Sequence, residues 1–245
     1  MSRANPREGL SIYEFFGIPG VGKSYLARTA VPRDIERPME RYSQGGRTQR
    51  VSRKALLLLR HLPAAFSTVS WAKEFVALYP QPTWSRRCKV IFNWLFIDAL
   101  IRDVARGVDG IIVLDQGVAQ AVWSTCFSAT RKPSNDEALP LVQRFLERLP
   151  IGQWTVVHVT ASESVIKSRL EQRSGDSPVD RDLANLDEAY VADRESRRVM
   201  EAFAKQPQIE LSAWWVTVVN EDESSVLSLD DIIRKSLNRG QPLRA

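Results

Sequence analysis

Four short apolar runs lie along the chain, each rich in β-branched or aromatic residues and each followed by polar or glycine-containing turns. Such runs are typical of strands buried on both faces of a parallel sheet. Segments with helical patterns separate them, and this alternation predicts an α/β fold with three layers, α/β/α, around a mostly parallel central sheet of about five strands. The four clear strands are predicted at Ile12–Phe16, Ile111–Leu114, Thr155–Val159 and Trp214–Val219.

The intervening patterns predict nine helices. Thr160 and Glu163 are spaced as a capping box for the helix that begins at Ser162, because a hydroxyl and a carboxylate three residues apart can satisfy each other's backbone N–H groups. Ala65–Val69 is a candidate short strand in an otherwise helical region. The predicted helices are Gly22–Ala30, Ser52–His61, Trp71–Tyr79, Arg87–Arg106, Gly117–Phe127, Asn135–Leu149, Ser162–Arg173, Leu183–Ala204 and Leu229–Leu237.

The organisation predicted from these patterns is a single domain over residues 1–245. Residues 31–108 have little strand signal and are interpreted as a helical, basic embellishment that holds the acceptor. The turn-rich sequence SGDSP at 174–178 separates two charged helices, so residues 170–205 are interpreted as a lid.

Composition places the chain among ordinary globular proteins. It is 44% hydrophobic and 26% charged over 245 residues, which excludes collagen-like, disordered and disulfide-scaffold classes. No signal-like start and no uninterrupted apolar run of about 18 residues is present, so we expect a cytoplasmic protein without membrane contact. Cys88 and Cys126 are too few for a zinc cluster, and both are expected to be small buried apolar residues.

Charge is unevenly distributed along the chain. Residues 1–106 carry 18 Lys or Arg against 8 Asp or Glu, although the whole chain has a net charge of only +5. Residues 41–60 contain six bases and no acid. A field of this sign attracts the phosphates of a nucleotide or a nucleic acid, while solubility alone is the alternative explanation.

The sequence GIPGVGKS at residues 17–24 is a full match to the pattern G-x-x-x-x-G-K-[ST], between a predicted strand and a predicted helix. Glycines let such a loop curl its N–H groups inward around phosphates, and the helix N-terminus adds partial positive charge. We therefore predict an ATP site in which Lys23 reaches the β- and γ-phosphates and Ser24 binds Mg²⁺. A plain glycine-rich turn is the alternative, but it gives no reason for Lys and Ser to follow. The predicted nucleotide-binding residues are Gly17, Ile18, Pro19, Gly20, Val21, Gly22, Lys23, Ser24 and Tyr25.

Asp115 follows the second predicted strand, where ligands gather in open α/β sheets. The carboxylate is a candidate Mg²⁺ ligand and a candidate base for an attacking hydroxyl, and a structural helix cap is the alternative. Gln116 extends the same turn and is a candidate substrate contact. Arg169 and Arg173 are one helical turn apart and are candidate catalytic groups that would neutralise a transferring phosphoryl group, with a solvated charged face as the alternative.

In this order, the glycine loop, the strand ending in an acid and the R-x-x-x-R helix resemble the nucleoside and nucleotide kinase group of P-loop proteins, which includes the thymidylate-kinase-like members. The resemblance covers residues 11–30 and 109–238 and implies phosphoryl transfer from ATP with Mg²⁺. Thymidylate kinases have an acidic residue, a second hydroxyl and an Asp-Arg pair where this chain has Pro19, Tyr25 and Asp115-Gln116. Thymidylate as the acceptor therefore does not follow.

In this architecture the acceptor site forms near the basic segment, so Arg47, Arg50 and Lys54 are candidates to hold an acceptor's phosphate. A solvated helix face is the alternative. Trp84, in QPTWSRR, is a candidate for stacking on a base, although core packing or loop anchoring is the favoured interpretation. The sequence thus predicts an ATP-dependent kinase of a nucleoside, nucleotide or similar small acceptor, and the alternative is a P-loop NTPase or end-phosphorylating kinase that acts on nucleic acid.

Overall fold

The fold is described from a computed structural model, which covers residues 10–29, 31–32, 35–107, 110–172, 185–206 and 212–221. The described strands form one four-stranded sheet in the order β2-β1-β3-β4, and every pairing is parallel. All four predicted strands and their parallel arrangement are confirmed. Their bounds are β1 Leu10–Phe16, β2 Ile111–Leu114, β3 Ile151–Thr160 and β4 Ser212–Val219.

The prediction of about five strands is only partly matched, since the described residues contain four. Beyond β2, Glu36 forms an isolated parallel bridge with Ile112, and the Val113 N–H donates to the Glu36 carbonyl over 3.0 Å. The outer edge of β2 is therefore paired at one position by the chain that leads into the helical region.

Nine helices lie in the described part of the chain. Eight predicted helices are found with shifted ends, and the predicted helix Leu229–Leu237 lies outside the described residues. The bounds are α1 Lys23–Thr29, α2 Pro38–Ser43, α3 Arg47–Arg60, α4 Leu62–Leu78, α5 Trp84–Val104, α6 Val118–Ser128, α7 Asn135–Leu146, α8 Glu163–Glu171 and α9 Leu186–Ala204.

The strand order fixes where the connections pass. The chain crosses from β1 to β2 in one direction, through α1 to α5, and then returns in the opposite direction from β2 to β3 and on to β4. Connections between parallel strands are almost always right-handed, so this reversal favours helices on both faces of the sheet. The architecture is α/β and is compatible with three layers.

An aromatic cluster ties the helical region to the rest of the fold. Trp71 and Phe75 of α4 pack against Trp94 of α5 and Phe145 of α7, with ring centroids 4.5 to 5.2 Å apart. The Trp71 indole N–H also donates to the Leu141 carbonyl over 2.7 Å. Each aromatic pair adds about 0.5–1.5 kcal/mol beyond the area that it buries. Residues of the 31–108 region therefore share a core with α7.

The candidate strand Ala65–Val69 is wrong, because these residues lie inside α4. The buried positions of α4 are Thr68, Trp71, Ala72, Phe75 and Val76, which recur with the spacing of a helix face and not with the alternation of a strand. The expectation for the cysteines is half right, since Cys126 is buried and Cys88 is exposed.

The predicted capping box of Thr160 and Glu163 is also wrong. Thr160 is the last residue of β3, and the residue that caps α8 is Ser162. Glu221, just after β4, accepts from the Ser162 N–H at 2.6 Å and from its hydroxyl at 2.8 Å. A contact between distant segments thus replaces the local one. No helix in the described ranges is both long and apolar enough to cross a membrane.

Candidate functional site

The glycine loop, residues 17–22, connects β1 to α1 at the carboxyl end of the sheet. Gly22 has φ +88°, a conformation that favours glycine, and a Cβ there would overlap the side-chain nitrogen of Asn220. Gly17 has φ +155°, and a Cβ there would overlap the carbonyl oxygen of Val159. Both glycines of the motif are thus required by the local backbone and its neighbours.

The carbonyl oxygen of Val21 is held from outside the loop by two donors. The side-chain amide of Asn220 donates to it over 2.7 Å, and the Arg169 guanidinium donates over 3.2 Å. The same Arg169 nitrogen donates to the Asn220 carbonyl over 3.1 Å. In a trans peptide the C=O and the following N–H point in opposite directions. Because the Val21 carbonyl faces Asn220 and Arg169, the Gly22 N–H faces the other way, away from these anchors.

Two side chains follow the loop at the start of α1. The Lys23 ammonium is half-buried and donates to the Ile18 carbonyl over 3.3 Å, so it folds back over the loop. The Tyr25 side chain is 50% exposed, and its backbone N–H donates to the Gly22 carbonyl over 3.0 Å in the first turn. The cation therefore lies at the loop, whereas the phenol faces solvent.

Ser24 meets Asp115 across two elements. The Ser24 hydroxyl donates to a carboxylate oxygen of Asp115 over 3.1 Å, although the two residues are 91 positions apart. Asp115 follows β2, which pairs with β1 in a register that sets Glu14 opposite Leu114. The sheet therefore brings the strand-end acid to the first turn of α1, and a hydroxyl and a carboxylate lie side by side there. Gln116, next in the chain, is exposed.

Glu14 of β1 was not predicted as a site residue, yet its carboxylate is fully buried behind the Asp115 turn. It accepts from the Gln120 N–H over 3.0 Å and from the Trp154 indole N–H over 3.1 Å. Burial raises the pKa of Glu14 to about 7, against the lowering effect of these donors. Gly117 packs directly on this carboxylate, so that a Cβ there would lie 2.6 Å from a carboxyl atom. Glu14 thus anchors the N-terminal end of α6 to the sheet.

The arginine pair is only partly described. Arg169 lies on α8 and contacts the glycine loop, whereas Arg173 lies outside the described residues. The alternative of a solvated charged face has Glu163 and Glu171 as partners of these arginines, and of the two, Glu163 forms an ion pair with Lys167.

The predicted acceptor residues lie on α3. Arg50 is exposed, Arg47 is the first residue of the helix, and the Lys54 ammonium lies 4.4 Å from the centre of the Phe96 ring on α5. Burial, and secondarily Arg50, lowers the pKa of Lys54. Within its described residues, the structure does not bring Arg50 or Lys54 into polar contact with the glycine loop.

The favoured interpretation of Trp84 as a core or loop-anchoring residue is wrong. It is the first residue of α5 and is 74% exposed, so it neither packs in the core nor anchors a loop. The preceding Thr83 caps the helix, because its side chain accepts from the Arg86 N–H over 3.2 Å. This cap fixes the start of the helix at Trp84 and leaves its side chain in solvent.

Asn220 is the second site residue that the sequence did not reveal. It follows β4 directly, at the same edge of the sheet where Asp115 follows β2, so its position at a strand end was the available signal. Comparison with known proteins gives no assignment: neither a protein-family model nor a curated protein matches the chain.

Proposed function

We propose that this protein is a Mg²⁺-dependent phosphotransferase that moves the γ-phosphoryl group of ATP to a nucleoside, a nucleotide or a similar small acceptor. The observation that carries the proposal is the contact between the Ser24 hydroxyl and the Asp115 carboxylate beside the glycine loop. A hydroxyl after the motif lysine and an acid at a neighbouring strand end are the two protein ligands that phosphoryl-transfer sites of this kind use for the metal.

The loop fits the phosphates of a nucleotide in three respects. Gly20 and Gly22 have φ values of 89° and 88°, the left-handed conformation from which anion-binding turns are built, and Gly22 directs its N–H away from the Val21 anchors. The N-terminus of α1 follows immediately and contributes partial positive charge. The Lys23 ammonium supplies a full positive charge at the same place.

Ser24 and Asp115 fit a magnesium ion, because hard divalent cations prefer oxygen ligands and commonly take one or two from the protein with the rest from phosphates and water. When bound, the metal offsets negative charge on the β- and γ-phosphate oxygens. We assign Asp115 to hold it or to accept the proton of the acceptor's hydroxyl.

Two other groups of the chain neutralise charge and position the glycine loop. Lys23 stabilises charge that develops on the phosphate oxygens in the transition state. Arg169 holds the loop through the Val21 and Asn220 carbonyls, on the side of the Val21–Gly22 peptide opposite the Gly22 N–H. Arg173 remains a predicted second arginine. Resemblance to the nucleoside and nucleotide kinase group supports this class of reaction, and ATP is proposed as the donor because it is the commonest triphosphate.

The direct test replaces Lys23 with alanine. We expect turnover to fall by about a hundredfold or more, because a preorganised charge at the transition state is lost. Transfer is measured with γ-labelled ATP against nucleosides, nucleotides, sugars and oligonucleotides, and Mg·ATP binding is measured by calorimetry. Lys73→Ala removes an exposed lysine of α4 and serves as the matched control. Binding and turnover by Lys23→Ala equal to those of Lys73→Ala would disprove the assignment.

A further inference from the structure

Helices α3 and α5 lie side by side and run in the same direction. The Lys54 ammonium lies over the Phe96 ring at 4.4 Å, and His61 contacts Asp103 through its Nε2 at 3.2 Å. Both contacts join residues 42 positions apart. A constant separation means parallel helices, so one turn earlier Arg50 of α3 lies level with Phe92 of α5. By the same separation, residues 89–92 of α5 lie beside the first turn of α3, and Trp84 projects beyond the start of α3 at Arg47.

Aromatic side chains project from the N-terminal half of α5. Trp84 is 74% exposed and Phe92 is 41% exposed, and exposed Cys88 lies between them. Residues four apart in a helix share a face, so these three form one stripe. The rise of 1.5 Å per residue separates the two rings by about 12 Å along the helix. The stripe therefore presents two aromatic faces to solvent on one side of α5.

Positive charges border the stripe. Arg50 and Lys89 are exposed, and Arg87 lies over the Trp84 ring at 5.8 Å. None of the three forms an ion pair within the described residues, whereas the neighbouring Arg41 and Arg60 are paired with Glu36 and Asp103. Residues 41–60 and 75–97 contain no acid. The charge on this surface is thus not used inside the protein.

We propose that the N-terminal halves of α3 and α5 bind single-stranded nucleic acid. Bases stack on Trp84 and Phe92, and Arg50, Arg87 and Lys89 contact the phosphates. Single-strand binding surfaces combine aromatic platforms with a basic track in this way, because every base has a stacking face and every phosphate has a charge. An anionic membrane surface is less well matched, since the stripe is short and cations interrupt it instead of flanking a wide apolar face. The surface is separate from the glycine loop and does not depend on the proposed phosphoryl transfer.

The test measures binding of a labelled oligothymidylate of about 20 nucleotides by fluorescence anisotropy, at about 50 and 200 mM salt. We expect Trp84→Ala to weaken binding about tenfold or more, because one stacking platform is lost. Phe66→Ala, which removes an equally exposed aromatic ring from α4, is the matched control and should bind as the parent does. The double variant Arg87→Glu, Lys89→Glu should lose binding and flatten the salt dependence, whereas Arg194→Glu, Lys205→Glu, with exposed bases on and just after α9, should not.

Three results would overturn the proposal. The first is that the protein does not bind the oligonucleotide at the lower salt concentration. The second is that Trp84→Ala and Phe66→Ala bind it equally well. The third is that the protein does not bind the oligonucleotide but sediments with phosphatidylserine vesicles, and that Trp84→Ala abolishes this sedimentation. Lys23→Ala must keep full oligonucleotide affinity. Failure of phosphoryl transfer and failure of this surface are therefore distinguished in the same set of variants.

Discussion

The side-chain amide of Asn220 donates to the carbonyl oxygen of Val21 over 2.7 Å, across 199 positions of the chain. Asn220 is buried, and its own N–H donates to the Thr160 carbonyl over 2.7 Å, so the amide is fixed to the end of the sheet. The orientation of the Val21–Gly22 peptide is thus set by β4 and not by the loop alone.

Removal of this anchor should weaken nucleotide binding. We expect Asn220→Ala to raise the dissociation constant of Mg·ATP about fivefold, because a buried hydrogen bond contributes about 1 kcal/mol and the Gly22 N–H loses its fixed direction. Calorimetry measures the affinity and thermal unfolding measures stability. Gln172→Ala removes an exposed amide at the end of α8 and is the control. Unchanged affinity in Asn220→Ala would show that the glycine loop keeps its conformation without the Asn220 hydrogen bond.

Substitution of Gly22 tests the shape of the loop. In Gly22→Ala the Cβ meets the Asn220 amide and the residue keeps φ +88°, so we expect about 1–3 kcal/mol of backbone strain and loss of measurable ATP binding. Gly46→Ala is the matched control, because Gly46 has φ −68° and no heavy atom lies within 4 Å of a Cβ built there. Equal ATP affinity in the two variants would contradict the role given to the loop.

The contact between Ser24 and Asp115 predicts that the affinity for ATP depends on Mg²⁺ through these two side chains. We expect Ser24→Ala to bind ATP equally with and without Mg²⁺, because it lacks one of the two oxygen ligands, while Ser24→Thr keeps the enhancement. Asp115→Asn should lose the enhancement in the same way. ATP affinity is measured by calorimetry with Mg²⁺ and with a chelator. A full metal effect in Ser24→Ala would remove that hydroxyl from the proposed site.

Glu14 predicts a change of stability with pH. Its pKa is raised from 4.5 to about 7 in the fold, so the folded state binds more protons than the unfolded state between these values. The protonated carboxyl stabilises the fold fully below about pH 4.5, and this stabilisation is lost as the pH rises through 7. The loss in the free energy of unfolding is about 3 kcal/mol. Glu14→Gln removes this titration, so the parent's stability advantage over the variant should be larger at pH 5 than at pH 8.

The measurement is urea unfolding of the parent and Glu14→Gln at pH 5, 6, 7 and 8. Glu171→Gln, which changes an exposed carboxylate at the end of α8, gives the background pH dependence. A pH-independent difference between the parent and Glu14→Gln would mean that Glu14 does not titrate in this range.

The main elements were predictable because their signals are local. Apolar runs located all four strands, and G-x-x-x-x-G-K-S located the turn between β1 and α1. The α4 error at Ala65–Val69 arose because β-branched and aromatic residues suit both a strand and a buried helix face. The role of Glu14 was not predictable, since its donors Gln120 and Trp154 are 106 and 140 positions away and only the folded sheet brings them together.

The Val21 anchor also bears on how the protein is made. The ribosome completes the glycine loop 199 residues before the amide that orients it, because that amide belongs to Asn220. A nascent chain that stops before β4 therefore carries the complete motif without the group that fixes the Gly22 amide. We expect a nucleotide resin to retain chains that include Asn220 and to release chains that stop before β4.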